Sequence, residues 1–183
     1  ICNVGFDLEK RGAYAVDPWS GEILWSFEPG AAITYTESEV LDLDGDGTKE
    51  VLLTTRSPHN LGGRLVNGYS DDRPFMFALG ANGALLWFRE LDSKPCTTFM
   101  KTGDLDGDGS LEIVTTIDCI YENRGAISVW NNKGDLLAEL PELNSAAGCQ
   151  LIPSGQENCQ EIISCNDFSS VFRVGFESNR LEI

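Results

Sequence analysis

Asp42-Leu43-Asp44-Gly45-Asp46-Gly47-Thr48-Lys49-Glu50 decides the reading of this chain. It returns 62 residues later as Asp104-Leu105-Asp106-Gly107-Asp108-Gly109-Ser110-Leu111-Glu112. Acids at loop positions 1, 3, 5 and 9 gather about eight carboxylate oxygens, and the main-chain carbonyl of Thr48 or Ser110 is available at position 7. Such a hard, oxygen-only set suits calcium. Without a cation the cluster opposes itself, since like charges about 4 Å apart repel by ~4 kcal/mol at an effective dielectric of ~20. The sequence therefore predicts two Ca²⁺ sites. Asp42, Asp44, Asp46, Thr48 and Glu50 form the first, and Asp104, Asp106, Asp108, Ser110 and Glu112 the second.

An EF-hand loop runs twelve residues, closes with a bidentate Glu and joins two helices. Here position 12 is Leu53 or Thr115, and the last acid stands at position 9. The following runs, Glu50-Val51-Leu52-Leu53-Thr54-Thr55 and Glu112-Ile113-Val114-Thr115-Thr116-Ile117, are short and β-branched, which favours strands. The reading is a strand, a calcium loop and a second strand. A solvated Asp-Gly hairpin turn explains one copy, but two matched copies favour the ion.

Other features keep the same spacing. Gly21-Glu22-Ile23-Leu24-Trp25 recurs as Gly83-Ala84-Leu85-Leu86-Trp87, and in eroded form as Gly134-Asp135-Leu136-Leu137-Ala138. A third hairpin spans 151–163, with Pro153, Gly155 and Glu157 where the three Asp would stand and only Glu161 keeping its acid. It is expected to form and to bind calcium weakly or not at all. Each unit reads as four short strands. One enters the loop (33–41; 97–102; 148–152) and one leaves it (51–55; 113–119; 162–165). A third is aromatic-rich (12–16; 74–79; 126–130; 170–176), and a fourth follows a tight turn (23–27; 84–90; 136–140; 180–183). No segment keeps a helical period, so the chain is all-β. Four antiparallel strands repeated at this spacing predict β-propeller blades, about four of them: a partial blade at 1–30, calcium-loop blades at 31–92 and 93–143, and a blade with a degenerate loop at 144–183. Residues 1–6 align with the second strand of a blade, and the whole is expected to be part of a larger propeller.

The Asp-x-Asp-Gly-Asp-Gly-x-x-Glu loops resemble the calcium-binding β-propeller repeats of the FG-GAP/VCBS type, found in integrin α-subunit heads and many secreted bacterial proteins. Tyr14-Ala15-Val16-Asp17-Pro18-Trp19-Ser20-Gly21-Glu22-Ile23-Leu24-Trp25 is similar to an outer part of a quinoprotein-type blade. By position, the resemblance makes Asp42, Asp44, Asp46, Glu50, Asp104, Asp106, Asp108 and Glu112 the ligands. It implies a calcium-stabilised module of a secreted or cell-surface protein, serving binding, adhesion or assembly rather than catalysis. The expected partners are a protein or glycan ligand, or neighbouring subunits of a surface assembly. The alternative is the propeller portion of a secreted polysaccharide lyase, with a quinone-dependent oxidoreductase third.

The net charge of −16, half of it from the eight acidic ligands, argues against a nucleic-acid partner. No apolar run is long enough to insert in a membrane. Six cysteines in 183 residues favour an oxidising location, extracellular, cell-surface or periplasmic. A hairpin register centred on each loop sets Cys149 opposite Cys165 and Cys96 beside Cys119. Both pairs are predicted disulfides, leaving Cys2 and Cys159.

A single histidine, His59, makes no zinc site. It lies in the irregular stretch 56–74, where Arg64, Tyr69, Asp71 and Asp72 are candidates for ligand contact, because long loops on rigid scaffolds carry function. Trp25 and Trp87 recur and read as core packing. Trp19 and Trp130 fall at turns and are freer to bind.

Overall fold

The computed structural model describes residues 2–4, 9–30, 37–119, 122–156, 158–166 and 170–183. Every regular element among them is a strand, arranged in antiparallel sheets. The first sheet runs β1 (Cys2–Val4), β2 (Gly12–Val16) and β3 (Ile23–Phe27). The second contains β4 (Ser38–Leu41), β5 (Glu50–Thr54), β8 (Phe75–Leu79) and β9 (Leu85–Glu90). Between β5 and β8 a small hairpin is inserted, β6 (Leu65–Val66) with β7 (Tyr69–Ser70). The third sheet is β10 (Thr97–Gly103), β11 (Glu112–Cys119), β12 (Arg124–Trp130) and β13 (Leu136–Leu143). The fourth is β14 (Cys149–Pro153), β15 (Gln160–Cys165), β16 (Val171–Glu177) and β17 (Arg180–Glu182).

Strand order in each four-stranded sheet follows chain order. The expected strands therefore occur where the alternation and turn signals put them, within one to three residues. One expected strand, 33–41, is described only from residue 37 onward. A one-residue irregularity recurs near the end of the next-to-last strand in three sheets, at Val16, Leu79 and Trp130. It sits where the chain turns into the Gly-x-apolar-Leu strand, and such bulges sharpen local twist.

By contact the chain divides into two compact units, residues 1–42 with 47–97, and residues 43–46 with 98–183. In the first, Val51, Leu53, Phe75, Phe77 and Leu79 form a core with Ala13, and Trp25, Phe27 and Tyr69 pack on it. In the second, Leu105, Val114, Ile127, Val129, Ile162 and Val174 are the centre. The middle strands β5, β8 and β11 are buried on both faces, which suits the apolar runs 51–53 and 75–79, while β11 also buries Thr115, Thr116 and Asp118. Each such fully buried side chain contributes roughly 1.5–3 kcal/mol. The fourth strands read differently: β9 alternates and leaves Leu86 and Phe88 about half exposed. Trp25 of β3 fixes its sheet to the next turn. Its indole N–H donates to the Ala81 carbonyl at 2.9 Å, and its ring lies where a Cβ on Gly83 would stand, 2.6 Å away. Only glycine fits at 83.

The stretch 56–74, expected to be irregular, instead holds the β6–β7 hairpin. Asn67 and Gly68 both take positive φ, 53° and 90°, the two-residue turn that matches strand twist. Asn67 Nδ2 then donates to the carbonyls of Glu9 and Glu28, both at 3.0 Å, which pins the hairpin to the first sheet. Among the described residues no helix is long and apolar enough to cross a membrane.

Candidate metal centres

Each acidic loop joins the first two strands of a four-stranded sheet, residues 42–50 between β4 and β5 and residues 104–112 between β10 and β11. The two turns share one backbone. Gly45 and Gly107 both have φ 78°, and Gly47 and Gly109 both have φ 88°. A side chain would strain those positions, so glycines at positions 4 and 6 let the chain curl and bring acids of the loop together.

In the first loop, Asp42, Asp44 and Glu50 each present an oxygen within 4.8 Å of the others. Asp42 Oδ2 accepts the Gly47 N–H at 2.9 Å, and Asp44 Oδ1 the Asp46 N–H at 3.2 Å. Asp46 is exposed and stands outside that trio. Thr48 is exposed at position 7.

In the second loop the trio is Asp104, Asp106 and Asp108. Asp104 ties the turn from inside, accepting Gly107 N–H at 2.7 Å and Gly109 N–H at 3.0 Å. Asp106 accepts Asp108 N–H at 3.2 Å, and Asp108 accepts Ser110 N–H at 2.6 Å. Glu112 is 5 % exposed, and its Oε2 accepts the Leu105 N–H at 2.9 Å. Burial pushes its carboxyl up to about 7, against the Leu105 hydrogen bond, and the charges of Asp106, Asp108 and Asp104 push the same way. Both position-9 acids are buried, Glu50 6 % and Glu112 5 % exposed; Glu50 has an oxygen within 4.8 Å of Asp42 and Asp44, whereas the close trio of the second loop is its three aspartates. The donor chemistry of both loops is oxygen alone and fits a hard divalent cation.

The third hairpin forms, β14 against β15, closed by Ser154 N–H on the Cys159 carbonyl at 2.9 Å. Glu157 lies outside the described residues. Glu161, the acid retained at position 9, bonds the Arg173 guanidinium, and that hydrogen bond holds its carboxyl below the ordinary range.

Cys96 and Cys119 are disulfide-bonded, as the hairpin register predicts. The second predicted bridge is corrected. Cys149 and Cys165 are thiols, and Cys149 pairs with Ser164 across the hairpin. That register is one step off the expected one, and a one-residue step turns a side chain to the opposite face. Cys149 is buried and Cys165 exposed accordingly. Cys159 is a thiol as well. The side chain of Cys2 is not among those described.

Two further expectations change. Trp130 is not at a free turn: it is 9 % exposed at the end of β12 and donates its indole N–H to Thr115 Oγ1 at 2.8 Å. Trp19 remains open, 94 % exposed. Asp71 is fully buried, with Oδ2 accepting the N–H groups of Asn60 at 2.6 Å and Leu61 at 3.0 Å. It shapes its loop from within and cannot reach a ligand outside. Tyr69 lies among aromatic rings, Asp72 meets His59 Nδ1 at 2.5 Å, and Arg64 is exposed. Sequence reasoning passed over Arg73, Phe88 and Glu90, which meet beside Tyr69 and Asp72. Their only trace in the sequence is an aromatic at an outward position of β9.

No protein-family model matches the chain, and no curated protein matches it. The functional reading rests on the residues themselves.

Proposed function

We propose that this chain is a calcium-stabilised β-propeller module of a secreted or cell-surface protein, acting as a binding, adhesion or assembly scaffold. The observation that carries it is the repeated loop: two nine-residue turns of matching backbone, each at the same place in a four-stranded sheet, and each converging three carboxylates. In this reading the sheets are blades of a larger ring, and FG-GAP/VCBS-type repeats are the relatives. Calcium is the resident ion at both loops. When bound it supplies positive charge that relieves carboxylate repulsion, so metal affinity and fold stability are linked. The Asp side chains hold the turn through their N–H bonds, and the buried middle strands give the turns a fixed base. The Cys96–Cys119 bridge agrees with an extracellular, surface or periplasmic location. The partner is a protein, a glycan or a neighbouring subunit.

The test is thermal unfolding with calcium, with magnesium and with chelator, on the natural chain and on Asp44→Ala/Asp106→Ala. Calcium at a hundredfold excess over its dissociation constant adds about 2.7 kcal/mol per site. A calcium-specific rise in midpoint that the double variant loses supports the proposal. Equal midpoints in all three conditions overturn it.

A further inference from the structure

The β6–β7 hairpin builds a cleft of about 450 Å³ that uses no residue of the acidic loops. That size falls within the roughly 300–1,000 Å³ of small-molecule sites. Its floor is aromatic: Tyr69 lies 5.4 Å from Phe75 and 5.8 Å from Phe88, centroid to centroid, both edge to face. Phe88 is 45 % exposed, an open ring surface on an outer strand. The rim is polar and fixed. Arg73 Nη1 donates to both oxygens of Glu90, at 3.0 and 2.9 Å. Asp72 is held by His59 Nδ1, and its own N–H donates to Ser70 Oγ at 3.1 Å. The cleft cannot behave as a lid, because Asn67 anchors one end of the hairpin and buried Asp71 shapes the other.

These features select a ligand class. An anion would have to compete with Glu90 for Arg73. A purely apolar ligand would displace water from the exposed Arg73–Glu90 pair and from the part-exposed Asp72 carboxylate without replacing the hydrogen bonds lost. A pyranose satisfies both surfaces: its C–H face stacks on an aromatic ring, and its hydroxyls bridge the edges of carboxylate and guanidinium. We propose that this cleft binds an uncharged glycan segment, a neutral or N-acetylated disaccharide unit. The inference deepens the binding-scaffold reading and rests on it, while leaving the calcium sites aside.

The test is saturation-transfer NMR on the whole chain with cellobiose, lactose, maltose and N,N′-diacetylchitobiose, each with calcium and with chelator. Transfer to at least one disaccharide, weakened about tenfold or more in Phe88→Ala and in Glu90→Gln but unchanged in Trp19→Ala, is the expected result. Glu90 is on the rim and its variant keeps the fold, so the test stands if Phe88→Ala is unstable. Transfer to none of the four in either condition overturns the assignment, whatever calcium does to the unfolding midpoint. Transfer that persists in both cleft variants, or that is lost in Trp19→Ala, also overturns it.

Discussion

Glu112→Gln tests the second acidic loop with a change of sign. In the cation-free protein the Glu112 carboxyl is raised from 4.5 to about 7, chiefly by burial and further by three neighbouring aspartates. A raised folded-state value means that its contribution to stability is complete below about pH 4.5 and is lost as pH climbs through about 7. At ~1.4 kcal/mol per unit, the buried charge costs about 3 kcal/mol above that window. Glutamine has the same shape and carries no charge, and its carbonyl oxygen can keep the Leu105 N–H bond. In chelator at pH 8, Glu112→Gln therefore stabilises the chain by up to about 3 kcal/mol, a midpoint rise of roughly 6–12 °C for a protein of this length. At pH 4.5 the carboxyl is already largely neutral, and the two proteins melt together. Saturating calcium reverses the order, because the natural carboxylate gains a divalent partner and glutamine offers the ion no charge. Circular-dichroism melts at the two pH values, with and without calcium, read all of this. Destabilisation by Glu112→Gln in chelator at pH 8, or an effect independent of pH, would refute the electrostatic argument.

Two further outcomes follow from separate parts of the fold. Cys96→Ser/Cys119→Ser removes a bridge that closes a loop of about 24 residues, worth about 3 kcal/mol of chain entropy. The midpoint falls accordingly, and a non-reduced digest of the natural chain yields one joined peptide carrying both cysteines. Asn67→Ala removes two hydrogen bonds and the residue type that best tolerates the positive φ, a loss of about 1–3 kcal/mol confined to the hairpin. Limited proteolysis then cuts within residues 60–68 faster than in the natural chain, while calcium-dependent melting is unchanged.

What the sequence made legible was local. The strand limits follow from β-branched runs bounded by Gly, Asn and Asp turns, and the acidic loops announce themselves because positions 1, 3, 5 and 9 are acids in both. Pairing at a distance was harder to read. The Cys149 register missed by one step, and no local signal marks the difference between Cys165 and Ser164 as a partner. Asn67-Gly68 was a readable turn, yet its flanking strands of two residues each are too short to show alternation. Trp130 looked available because it precedes the Asn131-Asn132 turn, and only the neighbouring β11 supplies the hydroxyl that fixes it. The cleft beside Tyr69 needs β7, β8 and β9 together, so no window of sequence contains it.

The two acidic loops look interchangeable as sequence and differ as chemistry. Asp42, Asp44 and Glu50 already face one another, so the position-9 carboxylate of the first loop stands among its candidate ligands. In the second, three aspartates gather, while Glu112 accepts the Leu105 N–H and has its carboxyl raised to about 7. If calcium binds there, the three aspartates and Glu112 would hold it, and a Glu112 carboxyl raised to about 7 would have to give up its proton, so that binding would strengthen as pH rises through neutrality. Identical spacing and equal burial of the two acids thus leave the carboxylates grouped differently, a difference that no motif records.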